Sequence, residues 1–464
     1  MITKLLQKEE GIALPTVVVI IAIITLLGFT AFFLVSSQTA MGNRYEKSET
    51  ALSIAEAGIN EYLWRLNKDS KFYTTPQGKE FVKKEHAFQN GKYKLEITEP
   101  TVESPTLKIK STAWLNGDED NKCAVEVEVR KREFVQHIFM SDDEKMMNDE
   151  EVWWTTDDEV KGPFHTNGTL YIKGRPIFHD RVTYSKEIKH YPTGTNDPDY
   201  RMGPPEQVEP LVFPATNQQL KNLAKYGGYY FEGRTCIMLD GNAIRIRNKN
   251  NSVQVITDLK NGVIYVDGNV SDTTSKWNQN LGNVFVSGKL NGRLTIAASN
   301  NIYITGYDPT ILEWRNRQQT GGITYQDTTF DEKGYVVNDG DDMLGLIAGE
   351  YIRILHYGWF DGRTGNVALD NITIHAALFA LKRSFEFERY DEGNLLGTVT
   401  VVGSICQNRR GAVGTFSRST GQTLSGYDKK DYTHDRRMAY DTPPHFLEPV
   451  NAGWEIVSWK RVAP

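Results

Sequence analysis

Between Ile12 and Val35 the chain reads IALPTVVVIIAIITLLGFTAFFLV, 24 positions without a charge. No other stretch limits the fold as strongly. At 1.5 Å per residue a helix of that length covers about 36 Å, enough for a hydrocarbon core of about 30 Å. A helix buried in a water-soluble core rarely stays apolar on every face for so long. The segment is therefore expected to be a single membrane span. Lys4 and Lys8 precede it, which favours an N-terminus inside and export of the remaining chain. A conventional secretory signal fits poorly. Its apolar region would run about 7–15 residues and close on an A-x-A pattern, whereas residues 36–40 read SSQTA.

The flanks of the span carry more information than its hydropathy. Ahead of it lies MITKLLQKEEG, short, polar and ending in Gly11. Behind it, ALSIAEAGINEYLWRL (51–66) places Leu52, Ala55, Ile59, Leu63 and Leu66 at helical spacings on one stripe. This stripe is expected to be the assembly face of a helix running unbroken from Ile12 to about Asn67, roughly 84 Å. The glycine-ended leader resembles prepilin-type leaders, and the AEAGI string resembles the N-terminal region of type IV minor pilins and pseudopilins. That resemblance implies cleavage by a prepilin peptidase between Gly11 and Ile12 and N-methylation of Ile12. It also implies a place first in the cytoplasmic membrane and later in a cell-surface filament. The expected partners are the major pilin and other minor pilins.

Thr16 stands at the fifth mature position, where major pilins carry a glutamate. A carboxylate in a filament core is costly unless paired, and in filaments it is thought to neutralise the terminal amine of a neighbouring subunit. A subunit without it suits a tip or initiating position, which has no predecessor to contact.

Composition narrows the class further. A net charge of -6 argues against a nucleic-acid binder, which normally presents a basic surface. Cys123, Cys236 and Cys406 are odd in number and widely spaced. They read as buried thiols rather than a disulfide framework or a zinc site.

The exported part is expected to be mainly β. Residues 91–132 alternate as half-buried strands, giving a small antiparallel sheet in an α+β head over 68–140. The stretch SDDEKMMNDEE (141–151) reads as a solvated loop within a linker over 141–161. From 162 to 402 short alternations recur, among them GVIYVDG (262–268), NVFVSG (283–288), RLTIAAS (293–299) and NITIHAALFA (371–380). Such rungs suggest a parallel β-solenoid, with a β-sandwich as the competing fold. Residues 403–464 are expected to form a final strand and a cap, with Phe446, Trp454 and Trp459 covering an open solenoid end. Segments such as GSICQNRRGAVGTF (403–416) and GYDKKDYTHDRR (426–437) resemble an uncharacterised extracellular domain found after pilin-like N-termini.

No standard catalytic motif is present, the nine histidines are scattered, and no cofactor or metal is expected. The enzyme alternative is a membrane-anchored solenoid that binds or cleaves surface polysaccharide. Its candidate groups are Asp339, Asp341, Asp342 and Asp361 with Arg363, or Asp435 with Arg436 and Arg437. A glycan-binding role would draw on Trp277, Trp314, Tyr325 and Trp359 as candidate ligand contacts.

Overall fold

The computed structural model describes residues 13–464 apart from 102–103, 105, 157, 250–251, 312–317, 361–362 and 417–421. Gly11, Ile12, Trp314 and Asp361 therefore lie outside the described residues. The chain is mainly β, 42% strand against 19% helix, and divides into two units.

The first unit contains residues 1–99, 107–129 and 456–464. It is built on α1 (Ala13–Lys68), one unbroken helix of 56 residues. Its N-terminal part, residues 14–47, is exposed on every face. From Ala51 onward one stripe is buried on the unit's own antiparallel sheet of β1 (Glu85–Phe88), β2 (Gly91–Thr98), β3 (Leu107–Leu115) and β4 (Asp118–Lys131). β2 shows the expected alternation, with Tyr93 and Leu95 turned to the helix and Lys92, Lys94 and Glu96 turned away. A fifth strand, Trp454–Val462, closes the sheet beside β4. The predicted cap is corrected here. Trp459 belongs to this strand and is 47% exposed, because the end of the chain satisfies the open backbone edge of β4.

The second unit contains residues 100–106 and 130–455, and the second of these segments lies in the chain between β4 and that last strand. It is a stack of short parallel rungs. In its first ladder Tyr229, Ile264, Ile296, Leu346, Leu378, Ile405, Phe139, Phe164 and Val182 sit in register, each above the next. From Ile264 onward these side chains point inward and join one continuous apolar core. Two further ladders complete the coils. One runs through Thr235–Gly241, Val284–Leu290, Ile302–Ile304, Ile352–Ile354 and Phe385–Phe387. The other runs through the C-terminal part of Val284–Leu290, then Gly322–Tyr325, Ile372–Ala380, Leu395–Arg409 and Thr423–His434. Val284–Leu290 turns from one ladder to the next at Gly288, where φ is +110° and an added Cβ would lie 2.1 Å from Leu239 O. Only glycine tolerates that corner.

The spatial order of the coils differs from their order in the chain. Rungs from 229 to 434 stack in sequence, and the earlier rungs, 139–207, continue the stack beyond residue 434. Residues 208–228, including α2 (Gln218–Gly227), return over the outer face of the first ladder. There Leu211, Leu220 and Ala224 pack in one buried cluster with Val263, Tyr265 and Phe379, and Phe446 joins them. The acidic stretch is consequently part of the solenoid and not a linker. Phe139–Asp143 pairs with Leu395–Arg409 on one side and Phe164–Thr166 on the other.

Candidate functional site

The exposed apolar half of α1 is the feature with the clearest physical consequence. Leu14–Lys68 is long and apolar enough at its N-terminal end to cross a membrane. Three of its threonine hydroxyls are satisfied within the helix. Thr25 donates to Ile21 O at 2.7 Å, Thr30 to Leu26 O at 3.0 Å and Thr39 to Val35 O at 2.9 Å. A helix satisfies its backbone internally, and these threonines do the same for their hydroxyls, as a hydrocarbon environment requires. Pro15 and Thr16 lie in its first described turns, both exposed, where proline is tolerated.

The expected assembly stripe has a different role. Ala55, Ile59 and Leu66 are buried inside the unit, as are Ile54 and Tyr62, whose ring packs on Phe72 and Phe81, while Leu52 and Leu63 lie at the margin. Periodicity shows that a stripe needs covering but not what covers it. Here β2 and β3 do so. The glycine of the AEAGI string has a specific cause. A Cβ at Gly58 would fall 2.6 Å from Tyr93 Cδ2 and 2.8 Å from Ser111 Oγ, so the helix reaches the sheet only because that position is bare. Beside it Tyr93 donates to Glu61 Oε2 at 2.6 Å and Arg65 to Glu61 Oε1 at 2.7 Å. Burial opposes charge on Glu61, yet these two donors outweigh it and lower its pKa.

In the second unit the candidate ligand contacts separate. Trp277 is half-buried and stacks on Phe285 with centroids 4.4 Å apart, and Phe285 stacks on Tyr303 at 4.9 Å. Lys276 beside it forms an ion pair with Glu388, and Asp272 in the same loop meets Arg353 at 2.7 Å. This loop is fastened over the second ladder. Tyr325 is not a surface residue. It is 5% exposed in the core, and its hydroxyl accepts from Leu344 N at 2.9 Å. Trp359 lies on the strand Tyr357–Phe360.

The acids and arginines proposed for catalysis are engaged in structure. Asp342 is buried and accepts from Gly292 N at 2.6 Å and Asp327 N at 2.7 Å. Asp435, also buried, caps the short helix Arg436–Ala439 and takes two bonds from the Arg437 guanidinium at 2.7 and 3.1 Å. Arg436 pairs with Asp180 at 2.6 Å. Asp339 and Asp341 are exposed. Arg437 brings Asp435 and Asp342 together, because its guanidinium also donates to the Asp342 carbonyl at 2.8 Å.

The three cysteines form no disulfide and are buried, and burial pushes the Cys406 thiol up to about 12. His137 and His165 approach with ring centroids 5.4 Å apart. Three of their four ring nitrogens are engaged, His137 Nδ1 with Phe134 O and the two of His165 with Thr183 Oγ1 and Asn167 Oδ1. Burial lowers the His165 pKa to about 4. No group of three or more metal-ligating side chains occurs among the described residues.

Sequence reasoning missed one constellation. Glu144, fully buried, receives Arg410 Nη1 at 2.7 Å and the Trp154 indole N–H at 2.9 Å. The Arg410 guanidinium lies 3.8 Å from the centre of the Trp154 ring. Around this centre Arg409 pairs with Asp149 at 2.9 Å and Asp143 at 3.4 Å, Lys161 with Asp431 at 2.9 Å, and Lys430 with Asp158. Burial opposes charge on Asp158, but Lys430 and Arg410 outweigh it and hold its pKa below the ordinary carboxylate value. The signal in the sequence was the match of an acidic run to two basic ones, QNRRG and DKKDY, more than 250 residues away.

Comparison with known proteins adds little to this geometry. Residues 93–186 match the family model described as "Domain of unknown function (DUF4900)". No curated protein matches. Among solved structures, the competence-associated pilin ComZ from Thermus thermophilus aligns over 90% of this chain and 98% of that chain. The identity is 11% and the TM-score 0.25, a superposition too loose to carry an argument about fold or role. The chain is a single-span candidate with an N-terminal helix-on-sheet unit and a large parallel β unit inserted before its last strand.

Proposed function

We propose that the protein is a minor pilin or pseudopilin of a type IV pilus-like filament, a tip or initiating subunit that displays the solenoid at the cell surface. The supporting observation is the division of α1. Its first half is apolar and exposed on every face, and its second half is packed by Gly58 against an antiparallel sheet. Such a helix serves first as a membrane anchor and then as the packing core of a filament, because lipid and neighbouring helices both cover apolar surface. The glycine-ended leader agrees with this reading, and Thr16 in place of a glutamate favours the tip. The membrane-facing part of α1, not the stripe from Ala55 to Leu66, is the surface left for assembly.

The protein acts as a structural subunit and not as an enzyme. Its partners are the major pilin and other minor pilins, with a prepilin peptidase acting on the leader. The solenoid serves assembly or adhesion, with a glycan or other surface polymer as its ligand. Replacing Gly11 with alanine tests the assignment. It should leave an uncut membrane protein and impair filament initiation, and normal piliation in that strain would overturn the reading.

A further inference from the structure

In a stack of coils each neighbour is normally held twice, by the ladders and by the chain that runs from one coil into the next. One interface of this solenoid has only the ladders. The coil over residues 405–434 rests on the coil over 139–161, although 139–161 comes first in the chain and 405–434 last. The apolar register crosses the interface from Ile405 to Phe139. Backbone bonds cross it from Ile405 N to Ile138 O at 2.8 Å, Arg410 N to Lys145 O at 3.1 Å and His434 N to Lys161 O at 3.0 Å. Ion pairs cross it as well: Arg409, Arg410 and Lys430 meet Asp143, Asp149, Glu144 and Asp158. A buried carboxylate such as Glu144 is strongly disfavoured when its partner leaves, so this interface is either docked in register or open.

We propose that this seam is a clasp. The solenoid forms as two blocks, 139–207 and 229–434, and the last coil closes the unit by docking its basic residues on the acidic edge of the first. The two blocks are unequal. The strands of the first are two to five residues long, so its own coil-to-coil contacts are few and much of its stability comes from the seam. It therefore opens as one piece, ahead of the coils in the larger block. In an exported chain this order keeps the first block unlocked until residue 434 has arrived. That consequence rests on the proposed surface location, whereas the clasp itself does not.

Hydrogen exchange read by mass spectrometry on the full chain in detergent tests the clasp. In mild urea, amides over 139–207 and those of 405–434 facing them should become exposed together, while 284–304 and 344–380 stay protected. Glu144→Gln should raise exchange at the seam and over 139–207 by about tenfold or more and leave the other coils unchanged. Arg353→Gln, which breaks the ion pair with Glu386 inside the larger block, should leave 139–207 unchanged. Uniform exposure of the whole unit in urea, or protection of 139–207 that outlasts 344–380, would overturn the proposal. Because the urea series uses the unmodified protein, it decides the matter even where a variant does not fold.

Discussion

The carboxylate of Glu144 and the guanidinium of Arg410 are 266 positions apart in the chain and 2.7 Å apart in space, both inside the solenoid wall. Losing one partner strands a buried charge, which costs about 3–5 kcal/mol. Arg410→Met should destabilise the second unit by roughly that amount. Arg410→Met combined with Glu144→Gln should recover about half or more of the loss, since neither charge then remains. Unfolding midpoints of the two variants against the parent measure this directly.

Gly58 predicts the opposite kind of failure, a steric one. Gly58→Val places new atoms where Tyr93 and Ser111 already are and must lift α1 from β2 and β3. Overpacking of this kind costs about 1–3 kcal/mol. The loss should appear as earlier thermal unfolding of the first unit and faster amide exchange in β2 and β3. Gly28→Ala in the exposed half of the same helix, with nothing within 4 Å, should leave both unchanged.

Tyr325 separates a core role from a ligand role. Tyr325→Phe removes the acceptor for Leu344 N and leaves a buried donor unpaired, at about 1–3 kcal/mol. A lower denaturation midpoint is expected, and an unchanged midpoint would contradict the burial of that hydroxyl.

How much of this was legible in the sequence depended on the range of the interaction. Local alternation located the rungs, such as RLTIAAS on Arg293–Ala298, because a strand's period of two is written in consecutive residues. The hydropathy of 12–35 and the helical spacing through Leu66 were readable for the same reason. What covers each surface was not. Ala55 and Ile59 needed a cover, and only the fold shows that β2 and β3 supply it. The stretch 141–151 looked solvated because its counter-charges lie at 409 and 410. Coil order is a long-range property, and only the match of the acidic run 141–151 to the basic runs near 409 and 429 points to the coil over 405–434 that rests upon it. Tyr325 looked like a loop aromatic because its neighbours are glycines and polar residues, whereas its ring fills the core.

Acid should weaken the second unit well before carboxylates titrate. Burial lowers the pKa values of His165, His375 and His434 to about 4 from an ordinary 6.5, and that of His137 well below 6.5. Between those limits the unfolded chain binds protons that the folded one refuses. Stability is therefore full above pH 6.5 and falls as pH drops toward 4. Each histidine contributes at most about 1.4 kcal/mol per pH unit. Unfolding midpoints measured at pH 7.5, 6 and 5 should fall steadily, and a midpoint that holds constant or rises over that range would contradict the buried neutral histidines.

The most direct measurement is the mass of the mature N-terminus, read from cells with and without an active prepilin peptidase. The account predicts a chain that begins at N-methylated Ile12 when the peptidase is present and at Met1 when it is absent. An intact Met1 in the presence of active peptidase would contradict it, leaving a membrane-anchored solenoid with no part in a filament.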